Sequence, residues 1–237
     1  MEHIEGKSQS NPSANRRDPR LYHIASLGTL LAYGLFWLHF DLSLWQIAVT
    51  IGTALLTQYA GTRYAKLPCF DPKSALISSL SLCILLRTDH LAIEALASVV
   101  AIGSKFVFRW NDKHLFNPTN LALAIALASG MGWISPGQWG QVAWFGFLIA
   151  CLGSLVVTRA ARADVTFAFL AVYVSLLFAR ALWLGDPLTI PFHQIESGAL
   201  LIFAFFMISD PKTTPDSRAG RIVYALCVAL AALYVQF

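Results

Sequence analysis

Two of the nine apolar runs in this sequence are too short to cross a lipid bilayer, and each is bounded by Asp-Pro. The first follows Asp71-Pro72-Lys73-Ser74; the second begins at Ser197-Gly198-Ala199-Leu200 and closes on Ser209-Asp210-Pro211. A run of about 13 residues rises roughly 20 Å as a helix, against a hydrocarbon core of about 30 Å. Truncated helices at matching points of two halves mark buried sites in membrane proteins built from repeats. The nine runs cover about residues 22–40, 44–60, 74–86, 91–108, 119–133, 140–158, 165–184, 195–209 and 220–236. The short ones are the third and the eighth. An offset of five crossings sets two similar units in opposite orientations, as in an inverted repeat.

Composition decides whether these runs belong in lipid. Hydrophobic residues make up 57% of the chain and charged residues 13%, about half the charge of a soluble domain. The reading is an all-α polytopic membrane protein of about nine transmembrane helices, arranged as five plus four. Residues 1–20 are polar and basic and read as a disordered tail, with 21–237 as one transmembrane domain. Arg16-Arg17 precedes a run too long for a signal h-region and without a small-x-small cleavage site, so the first helix is expected to stay uncleaved. With the tail in the cytoplasm, every Lys and Arg except Arg87 and Arg180 falls on the cytoplasmic side or within a turn of it, as the positive-inside rule requires. The net charge of +4 therefore reports topology. No basic run interleaves with aromatics, so no nucleic-acid partner is expected. The four cysteines lack metal-ligand spacing.

Three cytoplasmic turns share one chemistry: Asp71-Pro72, Asn117-Pro118 and Asp210-Pro211. Asp or Asn before Pro caps and starts or stops a helix. These turns are either plain punctuation or the lining of a ligand cavity, because non-helical backbone at membrane depth survives only beside protein or water. On the cavity reading, Phe116, Asn117, Thr119, Asn120, Asp210 and Thr213 are the candidate binding residues. Glu94, Arg180 and Glu196 lie near the opposite boundary and are the candidates for an ion path, or for structural pairing of Arg180 with one of the two carboxylates. Catalytic triads, metal motifs, Walker loops and dinucleotide fingerprints are missing from the sequence, so no catalytic or metal residue is assigned.

Two stretches resemble a known family. Lys113-His114-Leu115-Phe116-Asn117-Pro118, and Phe205-Phe206-Met207-Ile208-Ser209-Asp210-Pro211-Lys212-Thr213-Thr214-Pro215 with Gly220-Arg221 and Tyr224, are similar to signatures of the Nqr B/Rnf D family of membrane electron-transport proteins. The resemblance runs over about residues 60–237. It implies a bacterial inner-membrane component of a flavin- and quinone-linked electron-transport complex, coupled to ion transport and working beside other membrane electron-transport subunits. It also implies a ten-helix inverted repeat, a fold shared with urea channels. Family members esterify an FMN phosphate to the Thr of a Ser-Gly-Ala-Thr motif between the fifth and sixth helices. Here that connection is Ile134 to Trp139 without the motif, and Ser197-Gly198-Ala199-Leu200 offers Leu at another place in the chain. Covalent FMN is not expected, which leaves non-covalent riboflavin or FMN, or a quinone. The other function this sequence suits is a transporter or channel for riboflavin or another small solute.

Overall fold

The computed structural model describes residues 18–110, 113–134 and 143–237. Most of the tail and most of the Ile134–Trp139 connection therefore lie outside the described residues. The chain is mostly helical, with few and very short strands. A helix forms in each apolar run of the sequence, and the side chains of Asp18, Ser43, Asn117 and Ser217 cap four of the starts.

Helix α1 (Pro19–Phe36) has Pro at its first position, and the Asp18 side chain accepts from the Arg20 N–H. It therefore starts just inside the stretch expected to be tail. The Asp18 carboxylate also accepts from the Arg20 guanidinium and from Lys73 Nζ at 2.9 Å, and these bonds hold its pKa well below the usual carboxylate value. Arg20 in turn reaches Asp71 at 2.6 Å, tying the start of α1 to the start of α3. Helix α2 (Leu44–Tyr64) opens on a Ser43/Gln46 capping box. Helix α3 (Pro72–Leu85) runs for 14 residues and gives way to a two-residue strand, β1 (Leu86–Arg87). Helix α4 (Leu91–Val107) returns to a small hairpin, β2 (Arg109–Trp110) with β3 (Lys113–His114).

Helix α5 (Pro118–Ala128) has 11 residues and stops well before the end of its apolar run. The chain then extends into β4 (Trp133–Ile134), which pairs antiparallel with β1, Leu86 opposite Ile134. Two half-length helices thus start at Pro-flanked turns and are clipped together at their far ends. These strand pairs are the one departure from an all-α chain among the described residues.

Helices α6 (Ala143–Arg159), α7 (Ala163–Leu184) and α10 (Arg218–Gln236) are longer; α7 ends on Gly185, whose φ of +73° suits a residue without Cβ. The eighth run, 195–209, is entered through a bend. Helix α8 (Thr189–Ile195) and helix α9, which is α-helical over Gly198–Ile202 and a π-helix over Phe203–Met207, meet at a bend of 52°. By length and composition α7 and α10 can each cross a membrane, and the bent α8–α9 pair makes a third candidate span.

The core runs between α1, α3, α5 and α6 and continues through α7, α9 and α10, with Leu27, Leu30, Leu82, Phe145, Phe169 and Phe206 all buried. Leu, Phe, Trp and Tyr side chains are exposed around the outside, as expected of a lipid-facing surface.

Candidate functional site

All three Pro-flanked turns open on one cavity of about 600 Å³. Its walls come from the first turns of α3 and α5, from α2 and α4, and from the end of α9. Asn117 does two jobs there. Its Oδ1 accepts from the Asn120 N–H at 3.2 Å, capping α5, and its Nδ2 donates to the Met207 carbonyl at 3.2 Å. One side chain thereby joins the start of α5 to the end of the π-helical turn. Asp71 lines the same cavity without capping its own helix, because Arg20 occupies it.

Asp210 keeps some open space on the cavity side but is surrounded by protein. Its Oδ1 accepts from the Lys212 N–H at 2.9 Å, and its carbonyl accepts from the Thr213 and Thr214 hydroxyls. Burial raises its carboxyl pKa, opposed by that hydrogen bond and by Lys105 and Lys212. Lys105 is 5% exposed, and its ammonium donates to Ser74 O at 2.9 Å and Ser74 Oγ at 3.1 Å. It is a buried cation on the cavity wall, opposite the Asp210 carboxylate.

Three further wall residues carry a buried polar atom without a hydrogen-bond partner: His23 Nε2, Gln58 Oε1 and His114 Nδ1. Unmet donors and acceptors beside a void of this size are what a polar ligand would satisfy. His23 stacks obliquely on Phe206, their centroids 5.5 Å apart.

Of the six candidate binding residues, the structure places Asn117, Thr119 and Asp210 on the cavity. Phe116 is half exposed and packs edge-on against Phe108, while Asn120 and Thr213 serve the adjoining turns. Sequence reasoning missed His23, Gln58, Ser74 and His114 as site residues and placed Lys105 only by its side of the membrane. A polar residue every fourth position of an apolar helix (Thr50, Gln58 and Thr62 on α2, Ser74 and Ser78 on α3) was the available signal.

The pairing expected for Arg180 is corrected. Arg180 meets Asp186 at 3.5 Å because the left-handed turn at Gly185 folds the chain back onto the end of α7, and it lies 3.7 Å over the ring of Phe237 at the end of α10, which packs along α7. Glu196 is exposed beside His193 at 3.7 Å. Glu94 is buried in the first turn of α4 and accepts from Thr50 Oγ1 at 3.0 Å. The structure does not bring these three residues together.

Two expectations follow from this geometry. Asn117→Asp keeps the cap oxygen but replaces the donor to Met207 with a second acceptor. It should destabilise the protein by about 1–3 kcal/mol, the cost of an unpaired buried polar group, in thermal unfolding in detergent. A loss no larger than that of an exposed Asn→Asp control counts against the bridging role. His114 is held neutral, its pKa pushed down to about 4 by burial and by Lys105, Arg109 and Lys212. Its folded pKa lies below the unfolded value, so its contribution is complete above the unfolded pKa of 6.5 and fades as pH falls toward 4. Melting between pH 7 and pH 4 should show this loss, and His114→Phe should flatten it.

The similarity to a known family falls in the second half of the chain. The model of the NQR2, RnfD, RnfE family matches residues 130–237. That span takes in the Phe205–Tyr224 stretch and leaves out Lys113–Pro118. The D subunit of the ion-translocating oxidoreductase complex of Erwinia tasmaniensis is 35% identical over 105 residues, 43% of this chain and 27% of that protein. Its counterpart in Alcanivorax borkumensis is 33% identical over 106 residues, 43% of this chain and 28% of that protein. The counterpart in an Escherichia coli strain is 33% identical over 111 residues, 46% and 28%. The chain matches little more than a quarter of the length of these relatives. Over residues 130–237, a little under half of its length, this chain is similar to the NQR2, RnfD, RnfE family.

Proposed function

We propose that this protein is an integral membrane subunit of an Rnf/Nqr-type electron-transport complex of the bacterial inner membrane, with its N-terminus in the cytoplasm. In this reading the nine apolar runs cross or enter the bilayer as an inverted repeat of five and four. The helix in each run, the one-sided distribution of Lys and Arg, and the short helices α3 and α9 bordering one cavity support it. Its partners would be the other membrane subunits of the complex, by analogy with relatives named as subunits of an ion-translocating oxidoreductase.

The observation that carries the reading is the cavity at the proline turns, with its three unmet polar atoms. A non-covalent flavin or quinone fits those walls: a ring system of that class carries several carbonyl or N–H groups, and the void lies within the roughly 300–1,000 Å³ of small-molecule sites. Asn117, Thr119, Gln58 and His114 would hold its polar edge, with Lys105 and Asp210 on either side and Phe206 and His23 against its face. Bound there, the ring supplies reversible electron uptake. The protein orients it, excludes lipid and water, and places a buried ammonium where negative charge would develop. An ester-linked FMN does not fit at Leu200, a hydrocarbon side chain packed against the core.

Purification in detergent and a visible spectrum test the proposal. An oxidised-flavin spectrum that dithionite bleaches, or a bound quinone in an organic extract, is the expected result. Asn117→Leu together with Asp210→Leu should lose it while the protein remains folded. A preparation without either cofactor that carries labelled riboflavin into vesicles would overturn the electron-transfer reading in favour of transport.

A further inference from the structure

Buried polarity in this chain extends beyond the proline-turn cavity. On α2, Gln46, Thr50, Ala54, Gln58 and Thr62 recur at every fourth position and form one ridge that winds slowly around the helix. Helix α4 packs along α2 and buries Glu94, Ser98 and Lys105. One end of this seam reaches a second cavity of about 380 Å³, lined by Gln46, Arg87, Thr88, Asp41 and Asp89. The other end, at Gln58, Thr62 and Lys105, opens into the proline-turn cavity. At 1.5 Å per residue, Gln46 and Gln58 stand about 18 Å apart along the helix.

The stretch between the two mouths is polar and incompletely satisfied. Thr50 Oγ1 donates to Glu94 Oε2 at 3.0 Å. Glu94 Oε1 and, one turn further on, Ser98 Oγ are buried with no hydrogen-bond partner, and their residues are 1% and 0% exposed. A carboxyl group kept only for structure would have both oxygens bonded, because an unmet buried acceptor costs stability. Small residues (Ala54, Ala97, Ala101) flank the seam, and the close-packed patch of Ala54, Ala75 and Ile102 narrows it before Gln58.

We propose that this seam is a proton path between the two cavities, with Glu94 as the group that takes up and releases the proton. It deepens the electron-transport reading, since coupling to ion movement requires a charge-carrying route through the membrane. A proton leaves a hydronium ion in the Arg87 cavity and bonds to Glu94 Oε1, converting carboxylate to acid. That O–H bond then breaks toward water held by Ser98 and Gln58, the proton enters the larger cavity, and the carboxylate is restored with no change in oxidation state. The groups facing Glu94 are Thr50 from α2, Cys83 and Arg87 from α3 and β1, and Asp41 and Asp89 around the cavity mouth. Among the described residues no three His, Cys, Asp or Glu side chains converge as a metal site. A lone carboxyl flanked by hydroxyls suits a proton better than a dehydrated metal cation.

The full chain, reconstituted in liposomes containing a pH-sensitive dye, tests this under a potassium diffusion potential set with valinomycin. Wild-type vesicles should admit protons, Glu94→Gln should reduce entry to that of empty liposomes, and Glu94→Asp should retain part of it. A pH jump followed by infrared difference spectroscopy should show a carboxyl C=O band that exchanges in D2O and is absent from Glu94→Gln. If Glu94→Gln does not fold, Thr50→Val and Ser98→Ala carry the test, with slowed entry expected. Wild-type vesicles as tight as empty ones, or variants that conduct like wild type, overturn the path. The visible spectrum of the same preparations reports separately on the cofactor, so a flavin-bearing protein with Glu94-independent entry defeats the path alone.

Discussion

Arg221→Met is expected to cost the fold about 3 kcal/mol or more, because it leaves a carboxylate stranded between two helices. Arg221 Nη2 meets Asp164 Oδ2 at 2.6 Å, and its Nε donates to the same oxygen at 2.8 Å. Both side chains are largely buried, 13% and 19% exposed. The guanidinium also donates to the Asp216 carbonyl at 2.6 Å, so one residue ties the start of α10 to the start of α7 and to the loop before it. Asp164→Leu should be comparably damaging for the converse reason. The double replacement should be milder than either single change, since two apolar groups leave no uncompensated charge. Thermal unfolding in detergent measures all three. Strict additivity would mean that the pair contributes no coupling energy.

The second large effect is expected at Gly153 on α6. A Cβ there would lie 2.5 Å from both Cβ and Cγ of Phe205 and 2.9 Å from its Cδ1. Phe205 Cβ is bonded to the main chain, so no rotamer of the ring removes the clash, and α6 and the π-helical turn of α9 must separate. Gly153→Ala should cost about 1–3 kcal/mol as an overpacked core position, and Gly153→Val more. Phe205→Gly, which removes the Cβ as well as the ring, should partly rescue Gly153→Val in the same melting assay, although alone it opens a void. A Gly153→Val protein that melts with wild type would show that these helices do not pack this closely.

Features governed by local rules were legible in the sequence. Pro at the first position of α3 and α5, with Asp71 and Asn117 before it, marks their starts from the chain alone, and Asn117 and Asp210 do line one cavity. Gly220 was readable only as part of a signature. The structure supplies its reason, since a Cβ would meet Ser217 Oγ, which caps α10, at 2.8 Å and Pro215 Cβ at 3.0 Å. Features that depend on partners distant in sequence were not legible. Nothing near Arg180 distinguishes Asp186 from Glu94 or Glu196 until Gly185 turns the chain back. The hidden polar atoms of His23, Gln58 and His114 become a site only once four helices surround them. The truncation of α5 depends on β4 finding β1, a pairing between segments that are far apart in the chain.

The wide turn in α9 sets the phase of the residues beyond it. The Ile208 N–H reaches back five residues to the Phe203 carbonyl, and Thr166 Oγ1 fastens the Ala204 carbonyl at 2.6 Å. One surplus residue in a coil rotates everything downstream by about 100° relative to an unbroken α-helix. The direction in which Asp210 faces is therefore decided upstream of it, by a spacing that a one-residue deletion would undo while leaving every side chain of the signature in place.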